Sequence, residues 1–199
     1  MAVIRIPQSY TGAWIANSTR EALMTVGEEL ILLHAYHYYV DEETTPRCTC
    51  FSAVYEQSAT WQCPHCYGTT FLGGIKESWR VWGIFADHPI DETYSKQGMW
   101  TADDRSVQIE AEPAIMRHDF LIRVMQWDNL HQPVSYGDRY IVGEVTQLSL
   151  RTGSQYGQQD NHSDSYGQKA NLHRLPENHP IQQYTVPLGP IARIDSFPR

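Results

Sequence analysis

The chain has 199 residues, 41% of them hydrophobic and 12% aromatic, with a formal net charge of −8. That length fits one domain with a real core, or one domain plus a small insert. The negative balance argues against a duplex-DNA binder, whose affinity comes mostly from Lys and Arg neutralising phosphates. No apolar run approaches the roughly 20 residues that cross a bilayer. Six Trp and twelve Tyr favour strands, and eleven Pro with thirteen Gly break up long helices.

Residues 1–17 read as an irregular N-terminal arm, mixing Ile4, Ile6, Tyr10, Trp14 and Ile15 with the turn formers Pro7 and Gly12; an N-terminal strand is the alternative. The opening Met1-Ala2-Val3-Ile4-Arg5-Ile6 has neither the length nor the cleavage pattern of a secretory signal, so cytosolic, reduced thiols are expected. Ser18-Thr19-Arg20-Glu21 is a capping box, predicting a short helix with Ala22, Leu23 and Val26 on one side and Gly27 at its end. Glu29 to Val40 is nearly continuous apolar and aromatic sequence and predicts a strand buried on both faces; periodicity alone leaves a helix open. His34 and His37 in this run are expected to be satisfied core or interface groups. Asp41 to Pro46 is an acidic turn.

All four cysteines follow, between Cys48 and Cys66, as two close pairs: Cys48-Thr49-Cys50 and Cys63-Pro64-His65-Cys66. Two close pairs across a loop are the pattern of a tetrahedral thiolate site, so Cys48, Cys50, Cys63 and Cys66 are the candidate ligands of a structural Zn2+. In the second pair Pro64 stiffens the turn, and Gly68 lets the backbone fold back so that N–H groups reach sulfur. The first pair has one spacer where a knuckle has two. Either that turn is distorted, or a ligand comes from elsewhere, with His34, His37 and His65 nearest. A metal-free ribbon and a pair of disulfides are the competing readings. Four thiolates leave no position open for a catalytic water.

Ile75 to Ala86 reads as a strand, joined to the preceding one through a loop too small to bury a core without a metal. Asp87 to Asp104 is polar and turn-rich, with Met99-Trp100 as anchors. Arg105 to Glu112 alternates: Val107, Ile109 and Ala111 face inward, Ser106, Gln108, Glu110 and Glu112 outward, and Pro113 stops the strand. Phe120 to Met125 is a further strand with Phe120, Ile122 and Val124 on one face. A turn at Ser135-Tyr136-Gly137-Asp138 opens a strand over Asp138 to Leu150. Its alternation slips near Gly143, with Ile141 and Val145 on one side and Leu148 and Leu150 on the other, which predicts a β-bulge. Several strands at this spacing predict a mainly β fold: a small β-barrel or sandwich with a short N-terminal helix and an inserted zinc-ribbon-like loop.

Beyond Arg151 the chain turns polar. Tyr156-Gly157-Gln158 and Tyr166-Gly167-Gln168 flank a hydrophilic stretch, and residues 151–186 read as a long hairpin and a returning strand. Asp160, His162 and Asp164 at its tip are expected to be solvated. Residues 187–199 read as a C-terminal arm ordered only by contact. The chain shows no phosphate loop, nucleophile elbow or zinc-protease motif. Asp87-His88, His118-Asp119 and Asp128 with His131 lack an accompanying nucleophile, so no enzyme is expected.

The string Cys63-Pro64-His65-Cys66-Tyr67-Gly68-Thr69-Thr70-Phe71-Leu72-Gly73-Gly74, with Pro46-Arg47 before the first pair, resembles a zinc-ribbon insert of virion neck proteins of tailed bacteriophages. The order around it is similar in outline over residues 18–150: a capped helix, Gly-Glu, an apolar strand, the insert at 46–74, and a barrel-like region with Gly137-Asp138-Arg139. The shortened Cys48-Thr49-Cys50 and Thr70 in place of a glycine depart from that pattern. The resemblance implies a non-enzymatic head-to-tail connector subunit, assembled in the host cytoplasm into a homo-oligomeric ring of the virion neck. Its partners would be portal or adaptor and tail proteins, with DNA only as passing cargo and no membrane. The β-rich body favours a stopper over a portal-binding adaptor, since such adaptors are usually helical in the similar families; a tail-terminator role is left open. A zinc-ribbon module that binds nucleic acid or a regulatory partner is the alternative; it calls for a basic stripe, and the ribbon holds only Arg47 before Lys76 and Arg80.

Overall fold

The computed structural model describes residues 10–55, 57–58, 63–86, 104–149 and 165–187. Met99-Trp100, Asp87-His88, Tyr156-Gly157-Gln158, the Asp160/His162/Asp164 tip and most of both expected arms lie outside them. Helix α1 (Tyr10–Val26) leads into strand β1 (Glu28–Ala35), helix α2 (Tyr38–Asp41) and a small hairpin, β2 (Phe51–Ser52) with β3 (Gln57–Ser58). Five strands follow: β4 (Ile75–Ala86), β5 (Asp104–Ile109), β6 (Phe120–Trp127), β7 (Pro133–Ser149) and β8 (Ser165–Arg174). A 3-10 turn spans Pro180–Gln183.

Six strands close into an antiparallel barrel in the order β1-β4-β5-β8-β7-β6, with β6 returning to β1. Between a barrel and a sandwich, the chain is a barrel. Its interior takes apolar side chains from every strand: Leu30 and Leu32, Val81, Val107 and Ile109, Leu121, Tyr140 and Val142, Ala170 and Leu172. Strand β1 is buried on both faces, as its unbroken apolar run predicts. Leu30 and Leu32 point inward, whereas Ile31, Leu33 and Ala35 point out into a second cluster with Phe120, Ile122, Leu175, Ile181 and Val186. The outer layer there is the segment after β8, residues 175–187, which lies on the outside of the barrel as a strap.

Several elements differ from the sequence reading. The helix begins at Tyr10, so residues 10–17 are helical and Ser18 sits mid-helix as an exposed residue instead of a cap. Its end is as expected: Gly27 N–H donates to the Leu23 carbonyl at 2.7 Å. Strand β1 stops at Ala35, and Tyr38 to Val40 are helical. Ser106 and Glu110 are buried rather than solvated: α1 packs across β4 and β8 on either side of β5, and Arg20 of α1 reaches Glu110 at 3.1 Å.

Ser135 to Asp138 and Gly137-Asp138-Arg139 lie within β7. The turn falls earlier, where the Asp128 carboxylate accepts the N–H groups of Leu130 and Gln132 at 2.8 and 2.7 Å. The slip near Gly143 is present: the β7–β8 register shifts between Val142 and Val145. Its effect is that Val142 and Val145 both pack on the barrel interior while Ile141 joins the outer cluster, so Ile141 and Val145 are on opposite sides. Strands β7 and β8 form a hairpin down to Ser149 opposite Ser165, which places Tyr166-Gly167-Gln168 in β8.

Candidate metal centre

The cysteines sit in an excursion between β1 and β4 that is closed at its neck. Ala35 pairs with Ile75 across the last rung of the β1–β4 ladder, and Tyr36 N–H donates to the Gly74 carbonyl at 3.1 Å. Within it, Arg47 bridges to Phe71; Cys48 N–H donates to Thr70 and Leu72 N–H to Pro46, at 2.9 and 3.0 Å. These bonds lay the two cysteine turns side by side. The Arg47 guanidinium stacks 4.2 Å from the Phe71 ring centre and 4.7 Å from those of Tyr38 and Phe51. It also donates to Thr70 Oγ1 at 2.8 Å and to Glu42 at 3.0 Å, so Arg47 holds the insert together rather than presenting a free cation.

The second pair forms the expected knuckle. Tyr67 N–H donates to the Cys63 carbonyl and Thr69 N–H to that of Cys66, both at 2.9 Å. Tyr67 and Gly68 take the left-handed region, φ 51° and 87°, which turns the backbone over the sulfurs. Cys63 sulfur accepts from the His65 and Cys66 N–H groups, and Cys66 sulfur from Gly68 and Thr70. Gly74, at φ 67°, has no room for a side chain: a Cβ there would stand 2.6 Å from the Cys66 carbonyl oxygen and 2.8 Å from the Tyr67 ring.

The one-spacer pair still delivers both sulfurs. A tight turn with Phe51 N–H on the Cys48 carbonyl at 2.9 Å sets Cys48 Sγ 3.8 Å from Cys63 Sγ, and Cys50 Sγ 3.4 Å from Cys66 Sγ. All four sulfurs lie within 4.8 Å of one another. With metal–sulfur bonds of about 2.3 Å, a tetrahedral site has S···S edges of about 3.8 Å. The donor set therefore fits a soft ion in a closed, four-coordinate site, and these four cysteines together can hold a metal ion. None of the four is in a disulfide; their sulfurs stand well beyond the roughly 2.05 Å of an S–S bond.

Charge sharing within the cluster follows burial and hydrogen bonding. Burial opposes ionisation of Cys63, but the N–H groups of His65 and Cys66 and the Cys50 thiol bring it down to about 7. Cys66 is fully buried, and burial with the neighbouring Cys50 thiol pushes it up to about 12. Without a cation the cluster thus favours a thiolate on Cys63 and a thiol on Cys66. A divalent ion displaces the remaining protons, so loading releases protons and weakens in acid.

The three histidines weighed as substitute ligands stand outside the sulfur cluster. His65 is exposed and contributes its carbonyl to Gly73 N–H at 3.0 Å. His34 and His37 bond the two oxygens of Asp119, at 2.8 and 3.1 Å. The same carboxylate accepts Ala35 N–H at 3.0 Å and Met116 N–H at 2.8 Å. Burial opposes ionisation of Asp119, yet these donors, led by His34 and His37, hold its pKa below the ordinary value. This junction ties the start of β6 to the root of the insert. The sequence marks it only with an acid beside an apolar strand; the histidine partners lie more than 80 positions away. Asp119 therefore bonds His34 and His37, not its neighbour His118, and Asp128 with His131 builds the β6–β7 turn.

No protein-family model matches the chain, and no curated protein matches it.

Proposed function

We propose that this chain is a non-enzymatic structural subunit of a tailed-phage virion neck, assembled as a homo-oligomeric ring joining portal or adaptor to tail. In this reading the cysteine cluster holds Zn2+ as a structural staple. The observation that carries it is the four-thiol cluster in an insert rooted on the first strand of a barrel. That order, together with residues 46–74, is where the chain resembles phage neck proteins. A donor set of four thiolates with no open position suits structural zinc. The acidic balance of −8 suits a ring through which DNA passes as cargo without being held.

Two further features support an assembly role. Trp14, Met125, Leu130 and Val134 are large apolar side chains left in solvent, of the kind that neighbouring subunits cover. The barrel is closed, so subunits of this kind associate through faces and arms rather than by adding strands. The β-rich body favours a stopper position. The acid–histidine neighbours support the non-enzymatic reading, since Asp119 and Asp128 are committed to backbone and histidine donors.

Electron microscopy of the purified chain, alone and mixed with portal-like and tail-like proteins encoded beside it, tests the assembly. A closed ring, or a ring on a portal or tail partner, is expected. A persistent monomer that ignores both, and instead binds DNA in a salt-dependent way, would replace this reading with the zinc-ribbon binding module. Elemental analysis is expected to find one zinc per chain.

A further inference from the structure

The cysteine knuckle and the C-terminal strap meet, although no strand connects them. Tyr67 directly follows Cys66, and its ring stands edge-on to that of Tyr184 with centres 5.5 Å apart and planes at 86°. Both rings belong to the outer cluster that holds Ile181 and Val186. The direction of the Tyr67 ring is fixed by the knuckle. Its backbone is held at φ 51° between Cys66 and Gly68, a region a tyrosine leaves when nothing constrains it, and Tyr67 N–H is tied to Cys63.

The strap's other anchor is on the barrel. Arg139 of β7 is buried and donates to the carbonyls of Ile181 and Tyr184, while its own carbonyl accepts Leu175 N–H at 2.9 Å. The strap therefore has one support on the barrel and one on the metal knuckle, and Tyr184 takes part in both.

We propose that metal loading of the cysteine cluster seats the C-terminal strap, so that the insert controls how firmly residues 175–187, the root of the C-terminal arm, lie on the barrel. The inference rests on the cluster holding a metal. With the metal in place, the knuckle presents Tyr67 to Tyr184. Without it, the four sulfurs no longer share a centre, the Tyr67 backbone relaxes, and the strap keeps its Arg139 anchor and the packing of Leu175, Ile181 and Val186 on the barrel but loses its support on the knuckle. Linkage makes the effect reciprocal: a seated strap must tighten metal binding. In a neck subunit this would let the insert set the direction in which the arm reaches a neighbour.

Hydrogen exchange read by mass spectrometry on the full chain tests this, in zinc-loaded, chelator-stripped and zinc-reloaded forms. Edge-on aromatic contact of this kind corresponds to about a two- to tenfold change in an opening equilibrium. Amides of 175–187 are expected to exchange faster by that factor when stripped and to recover on reloading, with β5 and β8 unchanged. Tyr184→Ala is expected to retain one zinc per chain, to exchange quickly at the strap with or without zinc, and to bind zinc two- to tenfold more weakly in equilibrium competition with a chromogenic chelator. If stripping changes residues 63–74 and leaves 175–187 unaltered, the coupling is overturned and the metal site stands. A chain that takes up neither zinc nor cobalt overturns the metal reading and this one with it.

Discussion

The barrel and the insert bury side chains on different scales. Six strands bring Leu30, Leu32, Ile109, Tyr140 and Leu172 together at 2% exposure or less. Between Tyr36 and Gly74, the described apolar side chains withdrawn from water are Phe71, Cys48, Cys63 and Cys66. Burial of one phenylalanine cannot offset the conformational entropy of ordering such a segment. The barrel is thus stable through its own core, whereas the insert depends on its sulfur cluster, on the Arg47 stack and on its neck.

If the cluster holds Zn2+ as proposed, that difference is broken most severely by removing the metal. Structural zinc sites of this type bind with an apparent free energy of about 10–16 kcal/mol near neutral pH, and that binding is folding free energy for the segment that supplies the ligands. Chelation is expected to abolish exchange protection over residues 63–74 while the barrel strands keep theirs, and Cys63→Ser should do the same. Equal loss in β5 and β8 would mean that the two regions fold as one. The converse change is Leu32→Ala in the barrel interior, where Leu32 has no exposure. It should lower the unfolding free energy by about 2–5 kcal/mol with one metal per chain retained, measured by denaturant titration and elemental analysis.

The junction between the regions comes next in size. Asp119→Asn replaces a carboxylate oxygen with an N–H2 group that faces existing donors, at a cost of about 1–3 kcal/mol for each buried N–H left without an acceptor. The pH dependence follows from the direction of its shift. Asp119 titrates below its ordinary value of 3.8 when folded, so its contribution is complete above 3.8 and is lost as pH falls through the lower folded value. The gap in melting temperature between wild type and Asp119→Asn should therefore be constant above that range and close in stronger acid. A gap that closes near neutrality would assign the effect to another group.

Local signals were legible where one segment decides the outcome. Ile75 to Ala86 is a strand end to end, the slip at Gly143 is a real register shift, and the cysteine spacing marks the cluster. Signals failed where a distant segment decides. Glu110 alternates like a solvent-facing residue, yet Arg20 of α1 and the Trp82 N–H of β4 meet its carboxylate and it is buried. Ser18-Thr19-Arg20-Glu21 matches a capping box, yet the helix extends back to Tyr10. Ser135 to Asp138 has turn composition, but Asp128 offers a carboxylate to two N–H groups and fixes the turn there. His34 and His37 gave no hint of sharing Asp119, because that pairing exists only once β1 and β6 lie side by side.

The smallest expected effect is in the strap, which touches both regions. His179 precedes the 3-10 turn at Pro180–Gln183, and its Nδ1 accepts Ile181 N–H at 3.2 Å. That bond needs a neutral ring. Burial lowers the His179 pKa from its usual 6.5, so the unfolded chain takes up the proton first. The contribution of His179 is therefore complete above 6.5 and declines as pH falls through its lower folded value. A capping bond of this kind contributes about 0.5–2 kcal/mol. Acidifying from pH 7.5 to 5.5 should speed exchange at Ile181 and its neighbours, but the cluster thiols also bind protons over this interval. His179→Asn separates the two causes, since asparagine keeps an acceptor at the cap and does not titrate. If the variant's strap is as acid-sensitive as the wild type's, the sensitivity belongs to the sulfur cluster, transmitted through Tyr67; if it is flat, it belongs to the cap.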